Sequence, residues 1–479
     1  MSISLKQQTF VGVIWSSIER FSVQGIQFIL SLIIARELHP SDYGLIAMLT
    51  IFMAIANCFV NSGFSSALIQ KQNRTNIDYS TVFYFNIVVG IIMYIILLIS
   101  APTIASFYKQ PILKEIITWV GLNIIISSFS TVQNAILAIN LNFRKLTIIS
   151  LTSVTISGVI AIYMAFNNYG VWTLVVQGLL NGCINVILLW INTKWHPQFV
   201  FSKSSFNELF SFGSKLLISS LLHTIYTNLY TLIIGKVYQP QELGLYSKAC
   251  SLSQYPSTNI TGILNRVLFP VLCRIQNNND ALTDKFYLSI RMTAFIVFPL
   301  MIGLAAISEP FIRLVLTDKW ISIVPFLQIL CFAYMWDPIM NMTANLLNVK
   351  HRSDYTLKAE IIKKLLAIVI LFTTLPFGIK VMCWGLLFYS LLDIVIISLF
   401  IQKVLPHVKL KNHLKNLFPP FLQSIIMGSI IITIIQLFTS IWVQFFSGII
   451  SGVIIYITLS PIICKNEIDF IFQLFKRNN

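Results

Sequence analysis

About fourteen times along this chain a predominantly apolar run of some twenty residues or more passes. Wound as a helix at 1.5 Å per residue, such a run crosses the ~30 Å hydrocarbon core of a bilayer. Barrel strands are about ten residues long and alternate in polarity, which these runs do not. The expected fold class is therefore all-α, a polytopic membrane protein of about 14 transmembrane helices. The runs fall near 9–35, 43–69, 79–101, 115–139, 147–166, 171–192, 207–235, 243–273, 286–308, 323–348, 357–376, 381–404, 418–440 and 442–463. Their connections are short, and charged residues make up 10% of the chain, so no soluble domain is expected on either side.

The net charge of +16 could suit nucleic acid. Most Lys and Arg, however, fall in the connections on one side, which places both termini in the cytoplasm and accounts for the charge without a nucleic-acid partner. The first apolar run is too long for a signal peptide and carries Glu19-Arg20. Seven scattered cysteines without a CxxC pair read as packing residues. No nucleotide loop, HExxH or histidine cluster is present, so neither an enzyme nor a bound cofactor or metal is expected.

Leu32–Leu45 reads LIIARELHPSDYGL, and Leu232–Leu245 reads LIIGKVYQPQELGL. A basic residue, Pro, an acid and Gly recur at fixed offsets. A second match joins Ala138–Arg144 (AINLNFR) to Ala344–Lys350 (ANLLNVK). Six spans separate each pair, an even number, so the repeat is parallel, with its axis along the membrane normal. The expected architecture is two six-helix lobes, 1–192 and 193–404, around a central cavity. Residues 405–479 add a basic loop, two further spans and a tail. The repeated turn reads as a helix-end device: a cation at one C-terminus, Pro to stop and start helices, an acid at the next N-terminus.

Polar residues recur at helical spacing inside the spans. Arg20, Gln24, Gln27 and Ser31 of the first span match Ser220, Thr224, Thr227 and Thr231 of the seventh. Asn57, Asn61 and Ser65 of the second match Ser257, Thr261 and Asn265 of the eighth. Any one of these could be interhelical glue, worth about 0.6 kcal/mol; duplicated stripes are better explained by a hydrated cavity. Arg20, Lys215 and Arg266 would make that cavity cationic, with His223 beside them, and suited to an anionic ligand. Snorkelling, or pairing with Glu19 of another helix, is the alternative for each cation, and for Lys215 most of all. The polar faces repeat but the charges do not, since Arg20 falls opposite Ser220 and Arg266 opposite Ser66. Three acids lie at depth, Asp337, Asp393 and Glu360. They suit coupling to H+ or Na+, while Glu360 could equally form an ion pair with Lys363 or Lys364.

With Val13-Ile14-Trp15 entering a polar first helix and the AR-x-L-x-P-x-DYG turn ending it, the chain resembles the polysaccharide-transporter branch of the MOP flippase superfamily. It looks most like the Wzx-like exporters of the colanic-acid and teichuronic-acid type. The resemblance implies a bacterial cytoplasmic-membrane flippase for undecaprenyl-diphosphate-linked oligosaccharides, working by alternating access. It also implies that Arg20, Lys215 and Arg266 lie near the diphosphate. Membrane lipid, a glycan polymerase and glycosyltransferases are the implied partners. The alternative is a MATE-like multidrug or small-molecule antiporter on the same fold.

Overall fold

A computed structural model of the chain describes residues 22–61 and 63–470, without the side chains of Phe212, Ile263, Arg266 and Val267. Among them every regular element is helical. Helix α1 is described from 22 to 37. It is followed by α2 (Pro40–Asn61), α3 (Phe64–Gln70), α4 (Asn76–Tyr108), α5 (Leu113–Ser128) and α6 (Thr131–Ile139). Then come α7 (Phe143–Phe166), α8 (Val171–Thr193), α9 (Lys203–Val237) and α10 (Pro240–Arg274). The chain continues through α11 (Asn279–Ala306), α12 (Ser308–Val315), α13 (Val324–Tyr334), α14 (Asp337–Val349) and α15 (Ser353–Thr374). It ends with α16 (Ile379–Gln402), α17 (Leu410–Gln436) and α18 (Ile441–Ile463).

Among the described residues, 11 segments are long and apolar enough to cross a membrane. The expected count of about fourteen is not reached for three reasons. The first span begins outside the described residues. Helix α10 is rich in Ser, Thr, Asn and Gln, and α15 carries Asp354, Lys358, Glu360, Lys363 and Lys364.

The chain divides into two compact units, Met1–Gly244 and Leu245–Asn479. In the first, α2 packs against α4, α5 and α9, and α7 lies along α8. Phe64, Leu68, Val82, Phe83 and Val132 form a buried cluster, against which Trp190 and Phe206 pack. At one end of this unit Lys71 Nζ lies 3.0 Å from Asp78 and 2.8 Å from Glu208. Thr75 and Asp78 form a reciprocal capping box there, which satisfies two of the free N–H groups of α4. In the second unit α11 lies along α17, α17 along α18, and α16 along both α13 and α15. Trp320, Phe286 and Phe298 are completely buried there.

Both copies of the repeated turn fall in the first unit, and each is built as its sequence requires. Pro40 and Pro240 open α2 and α10, where a missing N–H does no harm. Asp42 accepts from the His39 N–H at 3.0 Å, and Glu242 accepts from the Gln239 N–H at 3.3 Å. The acid thus caps the residue before the proline in both copies and stands near the positive helix end. Lys236 Nζ donates to the Phe107 carbonyl at 2.6 Å and sits 4.1 Å from that ring. The two glycines have a second role. A Cβ on Gly44 would collide with the Pro240 carbonyl, and a Cβ on Gly244 with the Pro40 carbonyl. Each turn therefore seats its proline carbonyl in the other turn's glycine.

The fourth and tenth spans are also built alike, because both are broken. In the fourth, Ser127, Ser128 and Ser130 turn their hydroxyls back onto the carbonyls of Ile124, Ile125 and Ser127. Such local bonds compete with the helix ladder, and α5 gives way to α6. The Trp190 indole donates to the Phe129 carbonyl at the break, at 3.1 Å. In the tenth, Pro338 lacks an N–H and separates α13 from α14. The second copy then runs further: α14 has 13 residues against 9 in α6. The left-handed residues that follow are Leu141 and His351, so the match of Ala138–Arg144 with Ala344–Lys350 aligns sequence but not helix ends.

Candidate functional site

In the second unit α14, α15 and α16 pack on one another and bring together the three acids expected for coupling. Their centre is Lys363, which is only 8% exposed. Its Nζ lies 2.5 Å from Glu360 Oε1, one turn earlier on α15, and 3.2 Å from Asp393 Oδ1 on α16. Asp337, the first residue of α14, stands within electrostatic reach of both Asp393 and Lys363. Asp393 is largely shielded, with 13% of its side chain exposed, while Glu360 keeps 41%. One ammonium thus pairs with two carboxylates, with a third on the neighbouring helix α14. A buried ion pair loses most of its hydration and is held only when its partners remain in place. Among the described residues no three His, Cys, Asp or Glu side chains converge closely enough to hold a metal ion.

The other expected site residues are distributed as follows. Asn265 of α10 accepts from Asn345 Nδ2 at 2.8 Å and donates to Asn341 Oδ1 at 3.2 Å, tying α10 to α14. Arg266 follows Asn265 on α10, and its side chain lies outside the described atoms. Asn57 of α2 accepts from Ser127 of α5 at 3.5 Å. Gln24 keeps a buried Oε1 without a partner, while Gln27, Asn61, Lys215 and His223 are exposed. Arg20 lies outside the described residues. The expected trio of cations is therefore represented only by Lys215, on α9.

Two cavities line the C-terminal helices. The first, about 560 Å³, is walled by Pro256 of α10, Pro299 and Leu304 of α11, Met427 of α17, and Val453 and Ile457 of α18. It is almost wholly apolar. The second lies between Arg291, Lys415 and Glu467. Neither cavity was expected from the sequence, and neither was the Arg291–Glu467 pair at 2.8 Å. Lys363 was visible only as a near neighbour of Glu360; nothing local signals that Asp393, thirty residues on, is its second partner.

A family described as polysaccharide biosynthesis protein matches residues 33–325. The chain belongs to this family. Among curated relatives, the teichuronic acid biosynthesis protein TuaB of Bacillus subtilis (strain 168) is 27% identical over 433 residues, covering 89% of each chain. The lipopolysaccharide biosynthesis protein WzxC of Escherichia coli (strain K12) is 26% identical, over 76% of this chain and 75% of that one. Among solved structures, the lipid II flippase MurJ in an inward closed conformation is similar with a TM-score of 0.75 at 17% identity, over 95% of this chain and 100% of that one. An inward-facing MATE multidrug transporter follows at 0.58 and 13%, over 82% and 98%. The family membership bears out the polysaccharide-transporter resemblance, and the structural likenesses bear out the all-α MOP fold.

Proposed function

We propose that this polysaccharide biosynthesis family member is a flippase. It moves polyprenyl-diphosphate-linked oligosaccharide repeat units across the bacterial cytoplasmic membrane for surface polysaccharide synthesis. It is a transporter and not an enzyme. The observation that carries the reading is the apolar cavity between α11, α17 and α18. These last two helices stand outside the duplicated spans, and with α10 and α11 they line a hydrocarbon slot that suits an apolar chain. The relatives named for teichuronic acid, lipopolysaccharide and succinoglycan synthesis support the substrate class. So does the breadth of the flippase likeness, which extends over more of the chain than the multidrug one.

In this reading Arg20, Lys215 and Arg266 hold the diphosphate from the cytoplasmic side, where an Arg fork matches phosphate oxygens. Gln24, Gln27, Asn57, Asn61, His223 and Asn265 meet the sugars. The chain alternates between inward-open and outward-open states with both termini in the cytoplasm. A proton on Asp337 or Asp393 sets the direction, Lys363 being the fixed charge against which it is exchanged. A glycan polymerase and glycosyltransferases supply and consume the substrate.

Purified protein in liposomes with a lipid-diphosphate oligosaccharide tests this. Protein-dependent appearance of the glycan in the opposite leaflet is expected, and a complete absence with several such lipids overturns it. A cation antiporter is the second reading, favoured by the carboxylates of Asp337 and Asp393; export of a cationic dye by the same liposomes would select it.

A further inference from the structure

Residues 194–202 join α8 to α9. Apolar segments flank them closely, Val171–Thr193 before and Gly213–Val237 after. The joint therefore stays close to the membrane surface, on the side that the basic-residue bias assigns to the cytoplasm. It is rich in aromatic residues for so short a connection. Trp195, Phe199 and Phe201 lie within it, and Phe206 and Phe210 follow at the foot of α9.

The joint is pinned in place. The Gln198 N–H donates to the Ser80 hydroxyl at 2.9 Å, and the Ser202 N–H to the Thr81 hydroxyl at 3.1 Å. Ser80 and Thr81 are fully buried on α4, so two backbone donors that water could serve are spent on the protein instead. Trp195 turns inward, 6.0 Å from the Tyr79 ring and 5.8 Å from that of Phe83. Between the two pins the chain does the opposite. Phe199 is 97% exposed and Phe201 55%. Phe201 leads through Phe206 to Phe210, at ring separations of 5.9 and 5.2 Å. Lys194 and Lys203 bracket the stretch, both exposed, and neither forms an ion pair among the described residues. The acids of this end, Asp78 and Glu208, are held by Lys71. Apolar surface held out into water is unfavourable. Held out into the headgroup boundary of a bilayer it is buried, and aromatic side chains collect there. Cations on both flanks suit the anionic head groups of the cytoplasmic leaflet.

We propose that this joint is a membrane-surface anchor whose partner is the cytoplasmic leaflet. Phe199 and Phe201 enter the headgroup boundary, and Lys194 and Lys203 meet anionic head groups on either side of them. Helix α9 begins at Lys203, so the anchor sets the depth at which its foot stands. The anchor does not depend on what the protein transports.

Photo-cross-linking of the full chain tests it. The photoreactive p-benzoylphenylalanine takes the place of Phe199 or Phe201, and the purified protein is irradiated in nanodiscs of equal phosphatidylcholine and phosphatidylglycerol and weighed intact. Both positions are exposed, so the replacement should leave the melting temperature unchanged. The same replacement of Ile99, 74% exposed in the apolar part of α4, gives the yield for full lipid contact. Lipid adducts at 199 and 201 should come within about threefold of that yield, with phosphatidylglycerol labelled several-fold more than phosphatidylcholine. Lys194→Gln/Lys203→Gln should erase that preference and keep the total. Absence of lipid adducts at both positions overturns the anchor. So does labelling of a protein in place of lipid when whole membranes are irradiated, which would assign the surface to a protein partner. Equal labelling of the two lipids by the parent protein overturns the part given to the lysines.

Discussion

In the fourth span the chain breaks at Phe129-Ser130 and resumes at Thr131; in the tenth it breaks at Met335-Trp336 and resumes at Asp337. The helices that follow can be laid on each other too. Phe143 and Ser353 open α7 and α15, which sets Ser153 against Lys363. Gly170 and Gly378, with φ of 55° and 94°, precede α8 and α16, which sets Asn185 against Asp393. The first half therefore carries Thr, Ser and Asn where the second carries Asp, Lys and Asp. Ser153 is fully buried and needs only the Ile149 carbonyl of its own helix. Lys363 needs two side chains from two helices. One backbone plan thus supports a neutral set and a charged one whose members depend on each other. The difference locates chemistry in α14–α16 that the plan itself does not require.

The sharpest break of that comparison is Lys363→Ala. Three carboxylates would lose their counter-charge, and stability should fall by about 3–5 kcal/mol, read as thermal unfolding in detergent, with export lost. The counterpart Ser153→Ala should cost under about 1 kcal/mol. Equal losses at the two sites would show that the charges are merely packed.

Next come Gly44→Ala and Gly244→Ala. Each forces a methyl into a proline carbonyl and should cost about 1–3 kcal/mol as overpacking does. Because the two turns grip each other, the double variant should fall short of the sum of the singles. Strict additivity in the same melts would mean that the turns act separately.

Smaller still are Asp42→Ala and Glu242→Ala. Both remove a cap and should each cost about 1 kcal/mol, by nearly the same amount. A large inequality would show that one turn is supported elsewhere.

Asp393→Asn sharpens the comparison without breaking the fold. It keeps the shape and removes one acceptor of charge. Transport driven by an imposed proton gradient should drop at least tenfold, while the melting temperature falls less than in Lys363→Ala, because Glu360 still pairs with the lysine. Undiminished proton-driven transport would remove Asp393 from the coupling.

The ease of reading differs along the chain for a physical reason. The repeated turns were legible because Pro, the acid and Gly specify bonds within a few residues. His39 to Asp42 and Gln239 to Glu242 lie three apart, so spacing and geometry are the same statement. Pro338 marks one span break in the same local way, whereas the serines at 127–130 look like any polar stripe until their back-bonds are seen. Asp337, Glu360 and Asp393 were visible as acids at depth, but not their convergence, since three helices must pack before Lys363 can reach across. Arg291 and Glu467 are 176 residues apart, and nothing short-range announces them. The two cavities belong to the space between helices and have no sequence of their own.

The seating of each proline carbonyl in the opposite glycine has a consequence for how such a chain can change over time. A side chain added to one turn spoils the fit of the other, so neither copy is free to drift alone. The duplicated turns hold each other to a common form, while the helices beyond them, without that bond, set serine against lysine and asparagine against aspartate. The likeness of the two turns is in this sense a condition of their contact.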